Sequence, residues 1–228
     1  MKSLLIKGGK LLLAGYILTG CTSWVNAAAT LSLYDGVNPL ITVVDNGPGD
    51  FAPQVGFIDL STNVGIWNLA ISTALSKPLS GSAINPVMDL SLQANSTAAG
   101  SLRVVFSDNG FGPASGLVLA KLTGSVVTGA GGTGSYAVYG DPANVVGATT
   151  VLIAATGSLA FPISGTAAGP LSLGAPFSLT QVEQIVASGP TFINTDASFS
   201  VVPEPGVMGL GALGLAVFAL GRSQRRQA

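Results

Sequence analysis

Ala197-Ser198-Phe199-Ser200-Val201 places an apolar side chain at every second position, with a serine between each. A strand turns successive side chains to opposite faces, so this period predicts a β-strand with one buried face. Leu102, Val104 and Phe106 repeat the pattern around Arg103 and Val105. Val118, Ala120 and Leu122 share a face opposite Leu119, Lys121 and Thr123. Further strands are expected near 30–34, 40–44, 55–59, 64–73, 87–93, 135–139, 149–154 and 177–186. Turn sequences separate them: Asp45-Asn46-Gly47-Pro48-Gly49, Asp108-Asn109-Gly110, Gly129-Ala130-Gly131-Gly132, Asp141-Pro142 and Gly189-Pro190. The low-complexity stretch 129–134 is expected as a flexible loop. No window carries a 3.6-residue apolar stripe, and the fixed-period repeat of a β-helix is missing. The expected fold is therefore all-β: a single antiparallel β-sandwich, jelly-roll or Greek-key-like, over residues 30–200.

The ends read differently. Lys2, Lys7 and Lys10 precede the apolar core Leu11 to Leu18, and Val25-Asn26-Ala27-Ala28-Ala29 follows. This is the layout of an export signal over 1–29, a helix in the precursor, cleaved by signal peptidase after Ala27 or Ala29. Leu18-Thr19-Gly20-Cys21 also resembles a lipobox, which would make Cys21 a lipidated first residue; ordinary cleavage is the preferred reading. At the other end, residues 201–228 join Val202-Pro203-Glu204-Pro205 to the uncharged run 206–221 and a basic tail, 222–228, with Arg222, Arg225 and Arg226. Two prolines around Glu204 fix φ and remove donors, so the segment should be extended and exposed rather than paired in a sheet. The run 206–221 makes a transmembrane helix of roughly 24 Å. That is short of the usual span of about 20 residues, and flanking arginines reaching the headgroups relieve the mismatch. The basic end should stay cytoplasmic, which places the body across the inner membrane.

This tripartite tail resembles the PEP-CTERM sorting signal of exported bacterial proteins. The resemblance implies a membrane protease partner, an exosortase-type enzyme acting at Val202 to Pro205. It further implies transient anchoring in membrane lipid, then delivery to the cell surface or extracellular matrix. Such proteins occur in bacteria that make exopolysaccharide, so an exopolysaccharide partner and a biofilm role follow by association. Two body segments also resemble segments that travel with this tag: Leu75-Ser76-Lys77-Pro78 with Gly81-Ser82 and Met88-Asp89-Leu90, and Pro176 to Val182.

Composition narrows the chemistry. The precursor carries a net charge of −1, but six of its nine basic residues lie in the termini. The body keeps Lys77, Arg103 and Lys121 against nine acids; three minus nine leaves −6, a charge that repels phosphate backbones and excludes nucleic acid as a partner. The chain has no histidine and one cysteine, Cys21, so Ser-His-Asp and Cys-His catalysis and histidine-ligated zinc are excluded. No catalytic residue, no cofactor and no enzymatic activity are expected. Calcium is the one inorganic candidate, through Asp45, Asn46 and Asp50 in a glycine-rich loop, with Asp108, Asn109, Asp141 and Asn144 as further oxygen donors. The competing reading is a hairpin turn with solvated aspartates. Trp67 and Tyr139 are candidates for stacking on sugars, Trp67 being better placed in the core. The leading function is a structural or interaction protein of the cell surface. A carbohydrate- or surface-ligand-binding module is the alternative, and a hydrolase using two carboxylates about 5–10 Å apart is the third.

Overall fold

The structure, a computed structural model, describes residues 29–38 and 40–203 of the 228-residue chain. Among these residues are thirteen strands and no helix, so the all-β expectation is met. Numbered in chain order, the strands form two antiparallel sheets. One runs β10 (Leu159–Ala160), β8 (Gly132–Asp141), β12 (Phe177–Ala187), β6 (Gly100–Phe111), β1 (Thr30–Tyr34), β2 (Ile41–Val44), with β9 (Val151–Ala155) also pairing β8. The other runs β11 (Ile163–Leu173), β7 (Ala114–Gly129), β13 (Thr191–Pro203), β5 (Val87–Ser96), β4 (Trp67–Leu75), β3 (Phe57–Val64). The expected signal and transmembrane helices lie outside the described residues, as do Cys21, Ala27, Glu204, Pro205, Arg222, Arg225 and Arg226.

The inward faces hold one core. Leu31, Ile58, Trp67, Leu69, Met88, Phe106, Leu122, Val138, Leu179 and Phe199 are buried in it. In β7 the alternation is nearly unbroken from Ala114 to Leu122, as period-two patterning requires.

Four expectations need correction. The apolar run 64–73 conceals a hairpin: Val64 pairs with Trp67 across a turn at Gly65, where φ is +55°. Asp108-Asn109-Gly110 is not a turn but the last part of β6, and the chain reverses only at residues 112–113. The stretch 129–134 belongs largely to β7 and β8, leaving residues 130–131 as a tight turn. Val202 and Pro203 are extended but not free of the sheet, for Val202 pairs with Leu117 and Pro203 with Gly116. Strand β11 has no counterpart among the expected strands. Its alanines, glycines and Pro170 mask the period, and a proline is tolerated there because β11 hydrogen-bonds to β7 alone.

Both ends of the described body leave from one end of the sandwich. Thr30 pairs with Ser107 near the close of β6, and Val202 pairs with Leu117 near the opening of β7. That end is braced by Lys77. Its ammonium donates to Asp108 Oδ2 at 2.8 Å and to the Asn109 carbonyl, and lies 4.0 Å from the Phe111 ring centroid. Ser76 donates to the same Asp108 oxygen at 2.6 Å, and Phe177 packs on Phe111 with centroids 5.7 Å apart. The two body segments singled out in the sequence thus meet here, through Lys77 and Phe177. Burial lowers the Lys77 pKa, and the Asp108 charge opposes that shift. Since Asp108 is buried, removing its partner strands a charge. Lys77→Met should cost about 3–5 kcal/mol in urea unfolding, and a loss under 1 kcal/mol would contradict this account.

Candidate functional site

The outer face of the six-stranded sheet carries polar groups in ordered ranks. Its register aligns Thr166, Lys121, Ser198 and Asp89 in one rank across β11, β7, β13 and β5. The next rank is Ser164, Thr123, Asp196, Ser91 and Thr73. Ser125, Asn194 and Gln93 form a third. Each lies on the outward phase of its strand, since the alternate positions Met88, Leu90, Leu122, Ala197 and Phe199 fill the core. A groove of about 540 Å³ covers Thr166, Lys121 and Ser198 of the first rank and the apolar positions beside them, Val87, Leu119 and Ala168. A second depression of about 330 Å³ lies over Thr123, Ser125, Asn194 and Asp196.

Asp89 and Asp196 sit on adjacent strands one pleat step apart, a diagonal spacing of roughly 7–8 Å. Burial raises the Asp89 pKa, and the Asp196 charge adds to the shift. Asp196 accepts a hydrogen bond from Ser91 at 2.9 Å. Lys121 lies two strands from Asp89 in the same rank, roughly 10 Å across the sheet. The face therefore offers a carboxylate pair, one ammonium, amide and hydroxyl groups, and an apolar shoulder. Such a set hydrogen-bonds vicinal hydroxyls and packs on C–H faces.

The expected calcium residues are otherwise engaged. Asp45 Oδ2 accepts from the Gly56 amide and Oδ1 from the Asn46 side chain. Asp50 Oδ1 accepts from the Ala52 and Asp59 amides, and Oδ2 from the Asn46 amide. This geometry is a turn braced by its own carboxylates. Asn46 takes φ of +57°, which asparagine tolerates. The second set is brought together, Asn144 accepting from the Gly110 amide at 2.8 Å, but Asp108 is bound to Lys77 and Asp141 to Val145 and Thr150. Among the described residues no group of three or more acidic side chains is placed to hold a metal. Trp67 is in the core and donates to the Ser101 carbonyl at 3.1 Å. Tyr139 lines a 220 Å³ depression on the outer face of the other sheet, beside Ser135, Val182 and Gln184. Ala29 is buried, and its carbonyl accepts from the Asp45 amide at 2.9 Å.

Sequence reasoning passed over the interior polar cluster. Gln181 and Glu183 sit on the inward phase of β12 with Leu179 and Ile185. Tyr136 donates to Gln181 Oε1 at 2.7 Å, while both Glu183 oxygens, Gln181 Nε2 and the Thr195 hydroxyl have no hydrogen-bond partner. Burial raises Glu183 to about 7, with the nearby Thr195 hydroxyl opposing the shift and the Asp196 charge adding to it. Burial likewise holds the Tyr136 phenol well above its ordinary value. The phase was visible in the sequence; that this phase faces the core was not.

Two antiparallel sheets packed over one core, with a polar outer face, define the class: a β-sandwich-like protein. Neither a family model nor a curated protein matches the chain.

Glu183 sets a pH dependence. The folded chain keeps its proton up to about pH 7, whereas the unfolded chain releases it near 4.5, so the folded state binds the extra proton between these values. Its effect on stability is most favourable below about pH 4.5, falls as pH rises to about 7, and levels off above. The total is on the order of 3 kcal/mol. Glu183→Gln should flatten the fall in urea-unfolding free energy between pH 5 and 7; an unchanged slope would refute it.

Proposed function

We propose that the protein is an exported surface protein with a structural or interaction role. Its β-sandwich body is held at a membrane by the C-terminal run and processed there by an exosortase-type protease. The carrying observation is where β13 ends. This central strand stays paired through Pro203 and runs directly into Glu204-Pro205 and the uncharged run 206–221. Val202 and Pro203, the first two residues of the processing motif, are held against β7. At the other terminus, cleavage after Ala27 keeps the buried Ala29 and its bond to Asp45, which cleavage after Ala29 would remove. The body in this reading is a jelly roll. Strands β5/β6, β7/β8, β10/β11 and β12/β13 alternate between sheets, and the last pair inserts between the first two in both. Delivery to the surface and any exopolysaccharide partner rest on the tail's resemblance to PEP-CTERM signals.

A second reading, a carbohydrate-binding module, is favoured by the ranks around Lys121, Ser198, Asp89 and Asp196 and the 540 Å³ groove beside them. Asp89 and Asp196 also place two carboxylates on neighbouring strands, as a two-acid hydrolase needs, but binding requires only the polar and apolar groups present.

Two measurements separate these readings. Glu204→Ala should abolish the size change and surface release seen in cells that hold the protease, and normal release of the variant would defeat the sorting reading. Ser198→Trp, which fills the groove, should reduce retention on the host's exopolysaccharide at least tenfold if that face binds glycan. Equal retention would exclude that face.

A further inference from the structure

Three long loops meet at the end of the sandwich where the chain leaves. Residues 45–56 join 76–86 through the Ser76 amide on the Gly56 carbonyl at 2.8 Å. Residues 76–86 reach the β6–β7 turn through the Gly112 amide on the Ala83 carbonyl at 2.7 Å, and reach β13 through the Val201 amide on the Pro86 carbonyl at 3.1 Å. Residues 142–150 join through Asn144 on Gly110. Each loop presents large apolar side chains to solvent: Phe51 at 67 % exposure, Val55, Leu79, Ile84 at 69 %, and Val145. At the opposite end the comparably exposed loop residues are Val37 and Leu40, both on the β1–β2 turn.

From this arrangement we propose that these loop tips form a lipid-facing surface, seating this end of the body on a neutral, zwitterionic bilayer. The proposal rests on the membrane reading of the tail. Val202 is paired at this end, and the uncharged run starts four residues later at Gly206. Four extended residues span at most ~14 Å, so a run lodged in the bilayer brings the loop tips to its surface. Charge selects the headgroup. Asp45, Asp50, Asp59, Asp108 and Asp141 surround this end with Lys77 as the cation among them, so anionic lipid is repelled. The carboxylates of Asp45 and Asp50 are turned onto backbone amides, and Phe51 and Val55 are exposed on the same loop together with Asn46, Pro48, Pro53 and Gln54.

The test uses the full chain with Cys21→Ser, reconstituted into phosphatidylcholine vesicles. A solvent-sensitive fluorophore is placed at Phe51→Cys, Ile84→Cys or Val37→Cys. Brominated lipid should quench at least half the emission at positions 51 and 84 and leave position 37 unchanged. If the chain floats with the vesicles but positions 51 and 84 stay unquenched, the docking surface is wrong while the anchor stands. If position 37 is quenched equally, the orientation is wrong. If the chain does not float at all, the anchor reading fails and takes this inference with it.

Discussion

The body depends on one topological constraint: its last two strands occupy the middle of both sheets. Strand β13 lies between β7 and β5, and β12 lies between β8 and β6. Every other strand is added outward from these. The seven-stranded sheet cannot close until the chain has been made through Ala187, nor the six-stranded sheet until Pro203, and the pairings within them span long stretches of sequence, as between Ser91 and Asp196, 105 residues apart. Such non-local pairing is slow to form. It also means that a cut inside β13 would open the six-stranded sheet at its centre.

Within that frame the core tolerates two charged features of different kinds. Asp108 is paired and hydrogen-bonded by Lys77 and Ser76, with Phe111 and Phe177 closing the site. It joins β6 to the loop after β4 and fixes that loop at the chain's exit. Glu183 is the opposite case, with its oxygens unpaired. A carboxyl so placed is tolerated best in its neutral form, because desolvation penalises the anion.

The surfaces divide by position. The outer face of the six-stranded sheet is polar and regular, because strand pairing stacks serine, threonine, asparagine and aspartate into ranks. The end where both termini emerge is irregular, with apolar loop tips around a buried ion pair. The tight turns at residues 65–66, 97–99, 130–131 and 188–190 lie at the opposite end of the body.

Much of the fold was legible locally. Strand β1 coincides with its expected span, and the alternation at 102–106, 118–122 and 197–201 marked the correct faces of β6, β7 and β13. Period-two burial is a property of the single strand, so neighbouring residues carry the whole signal. Strand β11 was illegible because glycine, alanine and proline carry little hydrophobic contrast, and its place is set by pairing to β7. The role of Asp108-Asn109-Gly110 was misread because its turn chemistry is overridden by Lys77, 31 residues upstream.

The sequence by itself determined the all-β class, the polar and apolar phases of its strands and the limits on its chemistry, because each follows from residue types and their spacing. Only the tertiary structure decided which phase faces inward at Glu183, which acids become neighbours at Asp89 and Asp196, and where the chain exits. These depend on register between distant strands. A shift of one residue would send every side chain to the other face.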